Sequence, residues 1–261
     1  MIKGIPSLKR RLQAAELTIG SWLSSAFPLL AEMLASSGFD WLVIDMEHTG
    51  IDFGDALSLI QVIELAGVPP LVRVGDNDPL FIKRALDSGA HGVVVPMVNS
   101  APDAARAVDA AHYPPYGSRG AGLSRAQRFG MGFDDYREWA AREVVVIVQI
   151  EHIDAVENLD EIVAVDGVDG FIVGPYDLSA SMGHPGDWGA DSVVAALERV
   201  REVASRGGVI GGYHVVHSRH DELEQRIEEG YRFIAYGDDM VFLAEKLEAE
   251  AEWLATVRDL G

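Results

Sequence analysis

Eight short apolar runs, each followed by residues at helical spacing, set the narrowest limit on what this chain can become. The runs are Thr18–Leu23, Trp41–Ile44, "GVPPLVRVG" at 67–75, Gly92–Pro96, Val144–Ile150, Gly170–Val173, Gly208–Gly212 and Tyr231–Ala235. Runs this short, apolar on consecutive positions, are the pattern of strands buried on both faces of a parallel sheet. Helical spacing follows over Pro28–Ser37, Asp55–Ala66, Asp78–Gly89, Ala101–Ala111, Asp134–Arg142, Asp154–Val165, Asp191–Arg206, His220–Glu229 and Met240–Arg258. Residues 1–17 read as an N-terminal helix and 238–261 as a C-terminal packing helix. Eight strand–helix repeats without a linker or composition shift favour closure into one α/β domain, a (β/α)8 TIM barrel spanning 1–261.

Bulk properties narrow the partners. A net charge of −20 repels nucleic acid and anionic membrane. No run approaches the roughly 20 apolar residues of a membrane span, and residues 1–17 carry no apolar core of a secretory signal, so a cytoplasmic protein is expected. The absence of cysteine removes disulfides, thiolate nucleophiles and cysteine metal sites.

Barrel enzymes take their chemistry from the C-terminal ends of the strands. That rule selects Asp45, Glu47, His48, Arg73, Gln149, Glu151, Asp177 and His214. Two buried runs, 144–150 and 170–173, each release one carboxylate, Glu151 and Asp177. Brought together, these acids repel unless a proton or cation lies between them. Oxygen donors without cysteine suit Mg²⁺ or Mn²⁺; the alternative is a pair of solvated acids. Arg73 either pairs with one of the acids or recognises a substrate carboxylate and developing negative charge. His48, beside Asp45 and Glu47, is either structural or a general base near neutral pH. The only lysines, Lys3, Lys9, Lys83 and Lys246, sit on helical segments away from strand ends, which argues against a Schiff-base mechanism.

Other signals are weaker. The histidines of "HVVHSRH" straddle a strand end and a loop, with His214 the one expected to face a pocket. Asp238 and Asp239 occupy the place where many barrels bind phosphate and would repel it. Residues 112–133, rich in Gly, Pro and Arg, are too long for a routine connection and are expected to be functional or mobile.

"FDWLVIDMEH" (39–48), "LVRV" (71–74), "VVVPMV" (93–98), "YPPYGSRG" (113–120), "VQIE" (148–151) and "VDGFIVGPYDLSASMG" (168–183) occur in the order and spacing of the HpcH/HpaI aldolases. The chain resembles that family from about Gly20 to Leu254. The resemblance implies a class II aldolase needing Mg²⁺, Mn²⁺ or Co²⁺, which reversibly cleaves 4-hydroxy-2-oxo acids to pyruvate or hydroxypyruvate and an aldehyde. It implies Glu151 and Asp177 as metal ligands, Arg73 on the pyruvyl oxygens, and His48 as base, acting through water with Asp45 nearby. Gln149, Gly174, Pro175, Tyr176 and Asp177 would line the substrate site. Asp87 would pair with the histidine across a subunit interface in a hexamer, a trimer of dimers, whose C-terminal helices are exchanged. Tyr176 stands where alanine is common in the family and Met46 where glycine is, leaving aldehyde choice and pyruvate against hydroxypyruvate open. Two alternatives remain: a citrate-lyase-β-like lyase of CoA thioesters, with Arg119, Arg125 and Arg128 contributing to a phosphate groove, and a non-catalytic barrel binding a metal or oxo acid.

Overall fold

The computed structural model describes residues 4–258. Its first half runs α1 (Leu8–Gln13), β1 (Thr18–Leu23), α2 (Pro28–Ala35), β2 (Trp41–Asp45), α3 (Phe53–Leu65), β3 (Pro70–Arg73), α4 (Pro79–Ser88), β4 (Gly92–Val95) and α5 (Ala101–Ala111). The second runs α6 (Phe133–Glu143), β5 (Val145–Ile150), α7 (Ile153–Glu157), α8 (Leu159–Val163), β6 (Gly170–Val173), α9 (Pro175–Ser181) and α10 (Asp191–Ser205), then β7 (Ile210–Val215), α11 (His220–Glu228), β8 (Phe233–Asp238) and α12 (Asp239–Arg258). The eight strands are parallel and form a closed barrel in chain order, β1 pairing with both β2 and β8.

Alternate residues of each strand point into the barrel or out toward the helices. The inward set includes Trp22, Val43, Leu71, Val94, Ile147 and Phe233, all buried. Trp41 stacks on Phe233 with ring centroids 4.0 Å apart and donates its indole N–H to Thr18 Oγ1 at 3.1 Å. Gly20 is required beside it, because a Cβ there would stand inside the Trp41 ring.

The N-terminal helix is shorter than the expected 1–17, spanning Leu8–Gln13 with Ser7 as its cap; residues 1–3 lie outside the described ones. It closes the barrel floor. Leu8 and Leu12 join the interior cluster. Lys9 Nζ lies 3.0 Å from Asp169 Oδ1 and donates to the Val144 carbonyl at 2.9 Å. Both side chains are buried, and Asp169 also accepts from the Val146 N–H at 2.9 Å. Lys9→Ala strands that carboxylate and is expected to cost about 3–5 kcal/mol in urea unfolding, partly recovered by adding Asp169→Asn.

The long segment 112–133 also lies at this floor. Helix α4 ends beside the start of β4, so Asp87 and Ser88 sit at the N-terminal end of the strands. Arg119, 3% exposed, donates to Asp87 Oδ1 at 2.6 Å and to the Tyr136 hydroxyl at 3.1 Å. Arg125 pairs with buried Glu64, which also faces His91 Nε2 at 3.3 Å, and donates to the Ser88 carbonyl at 3.0 Å. Arg128 meets Asp135 at 3.4 Å. These arginines are therefore spent on anchoring the segment at the barrel floor. They do not form the phosphate groove that a CoA-dependent reading needs within one chain.

His112, at the end of α5, is buried in the same region. Burial first, then the charges of Lys9 and Arg119, push its imidazole from 6.5 down to about 4. The folded chain keeps it neutral where the unfolded chain binds a proton. Its contribution to stability is thus complete above pH 6.5 and lost as the pH falls toward 4, roughly 3 kcal/mol in all. Urea unfolding at pH 7 and pH 4.5 should show a smaller acid loss for His112→Leu than for the unsubstituted chain.

Candidate active site

At the opposite end of the barrel, Arg73 closes β3 directly across from Asp45, the last residue of β2, in the parallel register. The two side chains meet bidentately, Nε to Oδ1 at 2.8 Å and Nη2 to Oδ2 at 2.7 Å. The Trp22 ring lies 4.4 Å below the guanidinium. Asp45 Oδ1 also accepts from the backbone N–H of Glu47 at 3.0 Å and, longer, of His48 at 3.4 Å, folding the turn after β2. Burial raises the Asp45 pKa, but the Arg73 fork and charge and these N–H groups outweigh it and hold the carboxyl below its ordinary range. Asp45 thus orients Arg73 and the turn rather than the His48 ring. That ring is largely exposed, its Nε2 lying 3.7 Å from Glu47 Oε2.

Glu47 is the group the sequence undervalued. Its Oε2 lies 3.2 Å from Arg73 Nη1, yet makes no hydrogen bond. Burial pushes its carboxyl up to about 7; Arg73 opposes this, while Glu151, Asp45 and Asp177 reinforce it. Glu47, Asp45, Glu151 and Asp177 therefore lie close enough to influence one another, with Arg73 as their nearby positive charge.

Glu151 directly follows β5 and Asp177 lies in the first turn of α9, just after β6, so neighbouring strands deliver them to one rim. Glu151 is buried; Oε1 accepts from the Met97 N–H at 2.7 Å and Oε2 from the Gln149 amide. Met97 takes φ 52°, a left-handed conformation costly for a side-chain-bearing residue. Gln149 Oε1 is buried without a partner. A Cβ on Gly174 would come within 3.1 Å of Glu151 Cβ and 3.2 Å of Oε2, so a side chain there would require Glu151 to shift. Among the described residues no three histidine or acidic side chains converge on a metal-binding point. The oxygen-only donors Glu151 and Asp177, with the unpartnered oxygens of Gln149 and Glu47 nearby, are a set that can hold a hard divalent cation, leaving positions for water and substrate.

A cavity of about 690 Å³ opens over this rim, lined among others by Trp22, Arg73, Gln149, Gly174, Tyr176 and Asp177. It continues past Trp188, Leu197 and Tyr213 to Arg219 and Arg226. His214 lines it, as expected, but so does His217, which also meets Glu245 at 3.0 Å. Asp238 and Asp239 serve α12 and the turn after β1, accepting from the N–H groups of Met240, Ser24 and Ser25. Asp87 is at the far end of the same barrel, bound to Arg119, and does not meet His48 within the chain.

The family model described as HpcH/HpaI aldolase/citrate lyase matches residues 18–245. The chain belongs to that family. Its relatives within the HpcH/HpaI family include a 4-hydroxy-2-oxo-heptane-1,7-dioate aldolase of Shigella sonnei, 41% identical over 94% of this chain and 93% of the relative. A hydroxypyruvate/pyruvate aldolase of Pseudomonas aeruginosa is 39% identical over 92% and 89%. A crystal structure of a family protein from Burkholderia cenocepacia superposes with a TM-score of 0.88 at 40% identity, covering 97% of this chain and 99% of that one. This HpcH/HpaI member is accordingly a carbon–carbon lyase on a TIM barrel.

Proposed function

We propose that the chain reversibly cleaves 4-hydroxy-2-oxo acids to pyruvate or hydroxypyruvate and an aldehyde, with a divalent cation held by Glu151 and Asp177. The observation that carries this reading is a pair of unpartnered buried oxygens, one on Gln149, which lines the cavity with Arg73 and Asp177 and bonds Glu151, and one on Glu47, 3.2 Å from Arg73. The cation, when bound, supplies a Lewis acid for the 2-oxo group.

The chain's own residues do the rest. Arg73 is fixed in position by Asp45 and Trp22, so its remaining N–H groups meet negative charge at the 2-oxo oxygen as it develops, without reorganising. His48, at the open edge of the site, takes the 4-hydroxyl proton on a ring nitrogen, through a water, and returns it in synthesis. The backbone N–H groups around Gly174, Tyr176 and Asp177, where α9 begins at Pro175, receive the substrate carboxylate. Asp87 serves the His48 of a neighbouring copy. A homo-oligomer is part of the proposal: α12 leaves Leu243, Leu247, Trp253 and Leu254 exposed along one helix, a surface suited to exchange in the hexamer expected from the family.

Proton exchange at the methyl of pyruvate, followed by NMR in D₂O, tests this reading. Exchange should require added Mg²⁺, Mn²⁺ or Co²⁺ and stop with EDTA. Exchange that persists after thorough chelation would contradict the metal-dependent reading, and no exchange with any of the three ions would leave a binding barrel instead.

A further inference from the structure

The β7 side chains alternate, with Tyr213 in the core cluster between strands and helices and His214 on the barrel side, and both border the cavity. There the imidazole stacks on Trp22, ring centroids 5.2 Å apart and planes 29° from parallel. The Arg73 guanidinium also packs on Trp22, 4.4 Å from the ring centroid, so His214 and the group assigned to the 2-oxo oxygen share one ring as neighbour. His214 Nε2 lies 3.2 Å from the Gly237 carbonyl. A carbonyl can only accept, so Nε2 carries the hydrogen and Nδ1 is the acceptor. Nδ1 has no hydrogen-bond partner among the described residues, on a half-buried side chain that lines the cavity. Burial, with Arg73 adding to it, pushes the ring down to about 4, so it stays neutral and accepting at pH 7. Beside it, the Trp22 indole N–H is buried without any partner.

One free acceptor thus stands on the lining of the cavity, next to Trp22 and Arg73. A methyl group does not satisfy it. A hydroxyl both donates and accepts, and a site equipped to hydrogen-bond a substrate hydroxyl discriminates against the analogue that lacks it far better than an apolar pocket does.

We propose that His214 is a hydroxyl-recognition residue, and that this chain prefers a 2-oxo acid bearing a hydroxyl on C3 over pyruvate as its nucleophile. The inference rests on the aldolase reading above. In that arrangement the C3 hydroxyl donates to His214 Nδ1, beside the Trp22 ring that stacks on the imidazole.

The test compares hydroxypyruvate with pyruvate as probes, using the full chain loaded with Mn²⁺ or Mg²⁺. C3–H exchange in D₂O gives kcat/KM for each, corrected for buffer, and calorimetry gives each Kd. The unsubstituted chain should favour hydroxypyruvate at least tenfold. His214→Leu should lower the hydroxypyruvate-to-pyruvate ratio at least tenfold in both readouts. His214→Asn, which keeps an acceptor, should lower it less and guards against misfolding of the first variant. A ratio unchanged in His214→Leu, or a wild-type chain that exchanges both acids equally, overturns this role of His214 and leaves the aldolase reading standing. A wild-type chain that exchanges neither acid removes both.

Discussion

Arg73→Ala is expected to lower kcat for retro-aldol cleavage by about three orders of magnitude, the scale seen when one preorganised donor to a developing oxyanion is removed. The loss should fall on kcat more than on KM, because the interaction strengthens as the carbon–carbon bond breaks. Alanine also strips the buried Asp45 carboxylate of its bidentate partner, so part of the effect will be a stability loss of about 3–5 kcal/mol. Arg73→Lys separates the two. It keeps a positive charge but cannot reproduce the planar fork that spans both Asp45 oxygens, and about a hundredfold fall in kcat is expected. Steady-state assay with lactate dehydrogenase coupling measures both variants. A lysine variant retaining a third or more of the activity would mean that charge alone suffices at this position.

Glu151→Gln should abolish tight cation binding and bring activity down to that of the chelated protein, at least a thousandfold below the loaded enzyme. The substitution preserves shape, and the amide oxygen can still accept from the Met97 N–H, so the fold should persist. Titration calorimetry with Mn²⁺ reads the cation directly and circular dichroism checks the fold. Unaltered Mn²⁺ affinity in a folded Glu151→Gln protein would remove this carboxylate from the cation site.

The strands were readable wherever burial on both faces left an unbroken apolar run, as at 41–44 or 144–150. Readability failed where other forces set the ends. β7 and β8 were expected at 208–212 and 231–235 but lie at Ile210–Val215 and Phe233–Asp238. The residues Tyr236, Gly237 and Asp238 look like loop, yet closure pairs Asp238 with Trp22 of β1. The expected helix over 154–165 is two short ones separated at Asn158, whose amide donates to the Asn99 carbonyl at 2.9 Å. In the sequence Gly174-Pro175 interrupts the apolar run 170–173 and looks like the end of a strand. Proline is equally a first-turn helix residue, and it opens α9, which carries Asp177.

At the site, rim membership followed from strand ends, but the partnerships did not. Asp45 and His48 look like a pair at three-residue spacing. The parallel register instead sets Asp45 opposite Arg73, from another strand, and the arginine takes both oxygens. Likewise Arg119 and Arg125 find carboxylates 32 and 61 residues away, contacts that no local pattern announces.

The plug beneath the barrel has a kinetic consequence. With α1, Leu8, Leu12 and the Lys9–Asp169 pair covering the lower end and packed side chains filling the barrel above them, substrate is expected to reach the proposed site from the upper rim. On the proposed aldolase reading, with the 2-oxo acid placed against Arg73, the aldehyde is expected to leave first and, in synthesis, to enter last, an order that product-inhibition kinetics would check.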